Sequence, residues 1–107
     1  MWPDDADGDV LRRLESSGFD FAADYEIDFN VDFEQWPPQA TVLNWLRARY
    51  KHITVIEPKD DFNGHVQIKI SSKLTHKLVI DTQAEATAAV EQYGGTCESW
   101  GVLRPAP

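Results

Sequence analysis

At 107 residues the chain has the size of one compact domain, and a 42% apolar content with four Trp, three Tyr and five Phe is enough for a single core. Its 18 acidic and 10 basic side chains leave a formal net charge of −8, a field that repels a phosphate backbone and draws basic partners. No apolar run approaches the roughly 18 residues of a membrane span, the Met-Trp-Pro-Asp-Asp start lacks the basic end and apolar stretch of a secretory signal, and the lone Cys97 excludes an internal disulfide framework. A cytoplasmic location is the expectation.

Residues 1–6 read as a flexible acidic lead-in, and residues 7–104 as one domain. A first helix is predicted over Asp7 to Ser17, with Val10, Leu11 and Leu14 on one face and acids at its positive end. Gly18 suits the left-handed position that closes it. Residues 25–34 carry the clearest pattern in the chain. Tyr25, Ile27, Phe29, Val31 and Phe33 alternate with Glu26, Asp28, Asn30, Asp32 and Glu34, which is the period of a strand with one apolar and one acidic face.

Trp36-Pro37-Pro38 ends that strand, and Pro38 fits the first turn of a second helix with Val42, Leu43, Leu46 and Tyr50 along one stripe. Residues 52–57 are β-branched and read as a short strand. A turn over Lys59 to Gly64, with the Asn63-Gly64 dipeptide favoured in hairpins, leads into a strand in which Val66, Ile68 and Ile70 alternate with polar residues. The segment 73–80 reads as an extension of that strand or a short separate one. Thr82 and Glu85 fit a capping box for a third helix, with Ala86, Ala89, Val90 and Tyr93 on one face and Gly94-Gly95 at its end. Residues 96–103 form the last strand. A helix followed by β-α-β-β-α-β predicts an α+β, ferredoxin-like sandwich with an extra N-terminal helix.

Three patches carry a family resemblance. They are Asp7-Gly8-Asp9-Val10-Leu11-Arg12-Arg13-Leu14 with Gly18-Phe19-Asp20, the strand from Ile27-Asp28-Phe29 to Phe33, and Tyr93-Gly94-Gly95-Thr96-Cys97-Glu98-Ser99-Trp100-Gly101. In this order they span residues 7 to 101, and the chain resembles the family of regulator of ribonuclease E activity B. The resemblance implies a ferredoxin-like fold and, for the best-known members, inhibition of an RNA-degrading enzyme through protein–protein contact. Glu98-Ser99-Trp100 stands where the regulator has Asp-Gly-Trp.

In a ferredoxin-like sheet the first and third strands lie at the centre. Their helix-free face would show Glu26, Asp28, Asn30 and Asp32 beside Gln67 and Lys69. With Cys97 pointing inward, alternation adds Glu98, Trp100 and Val102 to that face. The functional expectation is a protein-binding platform made by Glu26, Asp28, Asp32 and Trp100, taking a basic segment through charge-assisted hydrogen bonds and a cation–π contact. The plainer expectation is a solvated face whose Trp100 packs on the first helix.

Other chemistries fit less well. RNA-recognition domains share this element order but display aromatics and basic residues. Here the aromatics of the first strand share the apolar face, so no direct nucleic-acid contact is expected. The run Asp4-Asp5-Ala6-Asp7-Gly8-Asp9 lacks the first ligand of a calcium loop and reads as helix-capping acids. His52, His65 and His76 show no metal-binding spacing, and Cys97 in a strand reads as a core thiol. No metal, cofactor or membrane partner is expected, and the chain reads as non-catalytic. The competing class is a small enzyme using Asp28 or Asp32 as an acid–base group on the open face.

Overall fold

The computed structural model describes residues 2–60 and 63–105. The elements are α1 (Ala6–Ser16), β1 (Asp24–Phe33), α2 (Ala40–Arg49), β2 (His52–Ile56), β3 (His65–Lys73), α3 (His76–Val90) and β4 (Gly95–Pro105), with a 3-10 turn at Glu91–Tyr93. The strands form one sheet in the order β2-β3-β1-β4, and all three pairings are antiparallel. It follows that β1 and β2 run parallel with β3 between them, and that β3 and β4 run parallel with β1 between them. Helices α2 and α3 make those two crossovers. The architecture is α+β, with β1 and β3 at the centre.

The core follows from the period-two pattern of β1. Ile27, Phe29 and Val31 are fully buried and meet Val66 and Ile68 of β3, Leu11 of α1, Leu46 of α2 and Val79 and Val90 of α3. Each such side chain contributes about 1.5–3 kcal/mol relative to exposure, so this one face supplies most of the driving force. The helices sit on it through stripes of matching period: Val42, Leu46 and Tyr50 from the α2 side, and Val79, Thr82, Ala86 and Val90 from α3.

Helix α1 is fastened by its first turn. Asp5 is its N-cap and accepts from the Gly8 amide. That bond, with a contact to His76 of α3, holds the Asp5 carboxyl below the ordinary carboxylate range. The residues before the helix contact the body too: Trp2 packs against Phe21, and Arg12 donates to the carbonyls of Trp2 and Pro3. A Cβ on Gly8 would fall 1.9 Å from the Pro3 carbonyl oxygen, so this close approach needs glycine. At the other end Gly18 takes φ +87°, the left-handed conformation expected of it.

Four expectations need correction. The segment 73–80 is not strand beyond Lys73: α3 begins at His76, and Leu78-Val79-Ile80 lies in its first turns. Thr82 does not cap this helix but is buried inside it. The cap is Thr75, whose hydroxyl accepts from the Leu78 amide at 3.0 Å. The physical reason is burial: Val79, Thr82, Ala86 and Val90, spaced by three, four and four residues, form one helical face over the sheet, which outweighs the strand preference of a β-branched run. Pro38 is buried ahead of α2 rather than in its first turn, since Gln39 is the N-cap and Ala40 opens the helix. Finally, α3 ends at Val90 and tightens into the 3-10 turn before Gly94 takes φ +78°. The predicted turn over Lys59 to Gly64 includes residues 61–62, which lie outside the described residues. Gly64 itself is buried, and a Cβ there would meet Trp36 and Pro58 at 2.8 Å.

Candidate protein-binding face

The polar half of β1 faces away from the helices. In the register, Glu26 stands opposite Ser71, Asp28 opposite Lys69, Asn30 opposite Gln67 and Asp32 opposite His65 of β3. Directly opposed residues of antiparallel strands share a face, so these side chains form one polar surface over the centre of the sheet. On the other flank Asp28 faces Gly101, Asn30 faces Ser99 and Asp32 faces Thr96 of β4. A Cβ on Gly101 would meet nothing within 4 Å, so the surface beside Asp28 is open there.

Depth varies across this surface. Asp32 is exposed, whereas Asp28 retains only 6% of its accessible area. Burial pushes the Asp28 carboxyl above the ordinary carboxylate range, opposed by the Lys69 ammonium and reinforced by the Glu26 carboxylate. Its Oδ1 meets no hydrogen-bond donor among the described residues, and neither does Oδ1 of Asn30. The Asn30 amide nitrogen does have a partner, the Ser99 hydroxyl at 3.1 Å. Glu26 lies 4.0 Å from the Lys69 ammonium. The centre of the surface therefore holds two acceptor oxygens that are turned from water and lack donors, with carboxylates on both sides.

Trp100 is not part of this surface. A bulge between Asn30 and Val31 lets Val31 pair with Cys97 and Asn30 with Ser99, leaving Glu98 as the extra residue. One added residue reverses the parity of everything after it. Trp100 then stands opposite Phe29 and Val102 opposite Ile27, both on the helix-bearing face. The Trp100 indole N–H donates to Asp7 Oδ1 of α1 at 2.8 Å, and Gln83 of α3 donates to the other Asp7 oxygen at 3.2 Å. Trp100 packs on the first helix, so no cation–π contact on the open face comes from it.

Three of the acids of residues 4–9 are also engaged in structure. Asp5 caps α1, Asp7 joins Trp100 to Gln83, and Asp9 pairs with Arg12. Among the described residues no group of three or more His, Cys, Asp or Glu is placed to hold a metal ion. Cys97 is buried against the core, which pushes its thiol up to about 12 and leaves it protonated at neutral pH.

A second polar cluster is absent from the sequence-based expectations. At the end of α2, the Tyr50 hydroxyl donates to Glu85 Oε1 at 2.6 Å, and Arg49 reaches the same carboxylate at 2.8 Å. The Tyr50 hydrogen bond, joined by Arg49, lowers the Glu85 carboxyl, while burial and that bond raise the Tyr50 hydroxyl. Glu85 thus serves this tie between helices and not the predicted capping box. The only signal in the sequence is that Glu85 follows Val79 and Thr82 at helical spacing, once α3 is started in the right place.

No helix among the described residues is long and apolar enough to cross a membrane. Among curated proteins none matches the sequence. A family model does: that of the regulator of ribonuclease activity B matches residues 4–102, which include all three helices and most of β4. The chain belongs to the regulator of ribonuclease activity B family.

Proposed function

We propose that this chain is a non-catalytic regulatory module, a single ferredoxin-like domain over residues 7–104, which binds a basic segment of a larger protein in the cytoplasm through Glu26, Asp28 and Asp32. An RNA-degrading enzyme such as ribonuclease E is the partner this family membership favours. Inhibition would be steric, with the docked domain covering the segment.

The observation that carries the reading is Asp28. A carboxylate taken out of water without a donor is unfavourable in the isolated protein, and a guanidinium or ammonium brought to it relieves that cost. The neighbouring Asn30 oxygen offers a second acceptor to a forked donor, and Asp32 supplies exposed charge for the approach.

The test is calorimetric titration with an arginine-bearing peptide of the partner enzyme at low and high salt, beside inhibition of that enzyme's RNA cleavage. The paired substitution Asp28→Asn and Asp32→Asn is expected to weaken binding by roughly tenfold or more, since hydrogen bonds to charged groups are each worth about 1.5–3 kcal/mol. Inhibition should fall in parallel. Unchanged binding by the double variant would remove the open face from the mechanism.

The raised Asp28 carboxyl favours one further reading, a general acid on the same face. That reading needs a concave site at Asp28. A hollow on this face is bounded by Glu26, Thr54 and Lys69 rather than by Asp28, and the donor that Asp28 Oδ1 lacks favours the binding module.

A further inference from the structure

β3 is longer than the strand beside it. Its nine residues pair with β1 along their whole length, but β2 covers only His65–Lys69. At His52 the chain turns away through Lys51 and Tyr50 into the end of α2, so Ile70–Lys73 has no strand on that side among the described residues. Successive backbone amides of a strand point in opposite directions. Half of those in this stretch face β1, and the other half face the notch that β2 leaves open.

Two hollows flank this notch, one on each face of the sheet. Toward the helices, a groove of about 690 Å³ is bounded by Tyr50, Ile70, Leu78 and the Arg49–Glu85 pair. On the open face lies the groove of about 400 Å³ beside Glu26 and Thr54. Lys51, His52, Lys69 and Ser71 line both. A strand sends alternate side chains to opposite faces, so a segment laid along Ile70–Lys73 would find room for each of its two sets.

Charge selects the occupant. Arg49 is held by Glu85, Asp81 by Lys77 and Lys73 by Asp24. Lys51, exposed at the mouth of both hollows, has no ion pair among the described residues. We infer that the notch beside Ile70–Lys73 takes an extended segment of a partner protein by strand addition, with apolar side chains toward Ile70 and Leu78 and carboxylates toward Lys51. The notch adjoins the acidic face at Glu26 but is centred on Lys51 and of opposite preference, and the Lys51 variant and the paired Asp28 and Asp32 variant test the two independently.

The experiment is a titration of the full isotope-labelled chain with a seven-residue probe alternating valine and glutamate, blocked at both ends. Two further probes carry N-methyl groups on one or the other alternate set of amides. Amide exchange at Ile70–Lys73 is expected to slow about tenfold with the parent probe. One methylated probe should bind like the parent and the other should not bind, because only one edge of the segment pairs. Lys51→Glu should weaken binding about fivefold, the range of an exposed charge pair reversed in sign. No protection at Ile70–Lys73 at millimolar probe, or equal binding by both methylated probes, would overturn the inference. So would sedimentation showing that a second copy of this chain already fills the notch.

Discussion

Neighbouring residues of β1 sit at the same depth with opposite consequences. Phe29 is fully buried on the helix-bearing face, and it meets apolar side chains from β3, β4 and the helices. Asp28, one residue earlier on the other face, is 6% exposed and holds an oxygen with no donor. Inaccessibility stabilises in the first case because water is replaced by close apolar contacts, and opposes folding in the second because hydration of a carboxylate is lost. One side of the sheet is finished by the chain itself. On the other, no donor among the described residues reaches Asp28 Oδ1 or Asn30 Oδ1.

The largest effect expected from this contrast is in the core. Phe29→Ala should cost about 3–5 kcal/mol in urea unfolding, whereas Asp28→Leu should cost far less or stabilise. Equal losses at the two positions would break the contrast. Next is the peripheral tie on the helix-bearing side. Asp7→Ala strands the Trp100 indole N–H and leaves the Gln83 amide only its bond to the Val79 carbonyl, and should cost about 1–3 kcal/mol with a red-shifted Trp emission. Loss of the α3 cap in Thr75→Ala should cost about 1 kcal/mol, while Thr82→Ser, inside the helix, should show no capping loss.

The smallest effect sharpens the open face. Burial raises the Asp28 carboxyl, so its contribution to folding is most favourable below the unfolded value near 3.8 and is lost as pH rises through the higher folded value. Asp28→Asn should therefore gain stability relative to the native chain as pH rises from about 3.5 to 7. A difference that is flat with pH would show that Asp28 is not desolvated. Binding of a basic partner should move the other way, strengthening as the carboxyl ionises.

Much of this organisation is legible in the residues. Strict alternation from Tyr25 to Glu34 identifies the central strand and assigns both of its faces, because a period of two has no helical alternative. It also places Glu26, Asp28 and Asp32 together. The start of α3 is hidden because Leu78-Val79-Ile80 has strand preference, and only packing against the sheet overrules it. The orphaned state of Asp28 is not legible either, since it depends on what the neighbouring strands place over it. For β4 a signal exists: the apolar positions Cys97 and Trp100 are three apart, an odd interval that a regular strand cannot keep on one face.

That interval has a consequence for how the last strand tolerates change in length. Glu98 contributes an unpaired position to β4, and removing it would take out the bulge while leaving the pairs on either side as they are. Cys97 and Trp100 would then stand two apart, the interval a regular strand keeps on one face, and Trp100 would stay opposite Phe29 with its indole toward Asp7. At this position the strand can therefore lose a residue and still keep its internal fastener, and replacing Glu98 by another polar side chain would likewise leave both faces as they are.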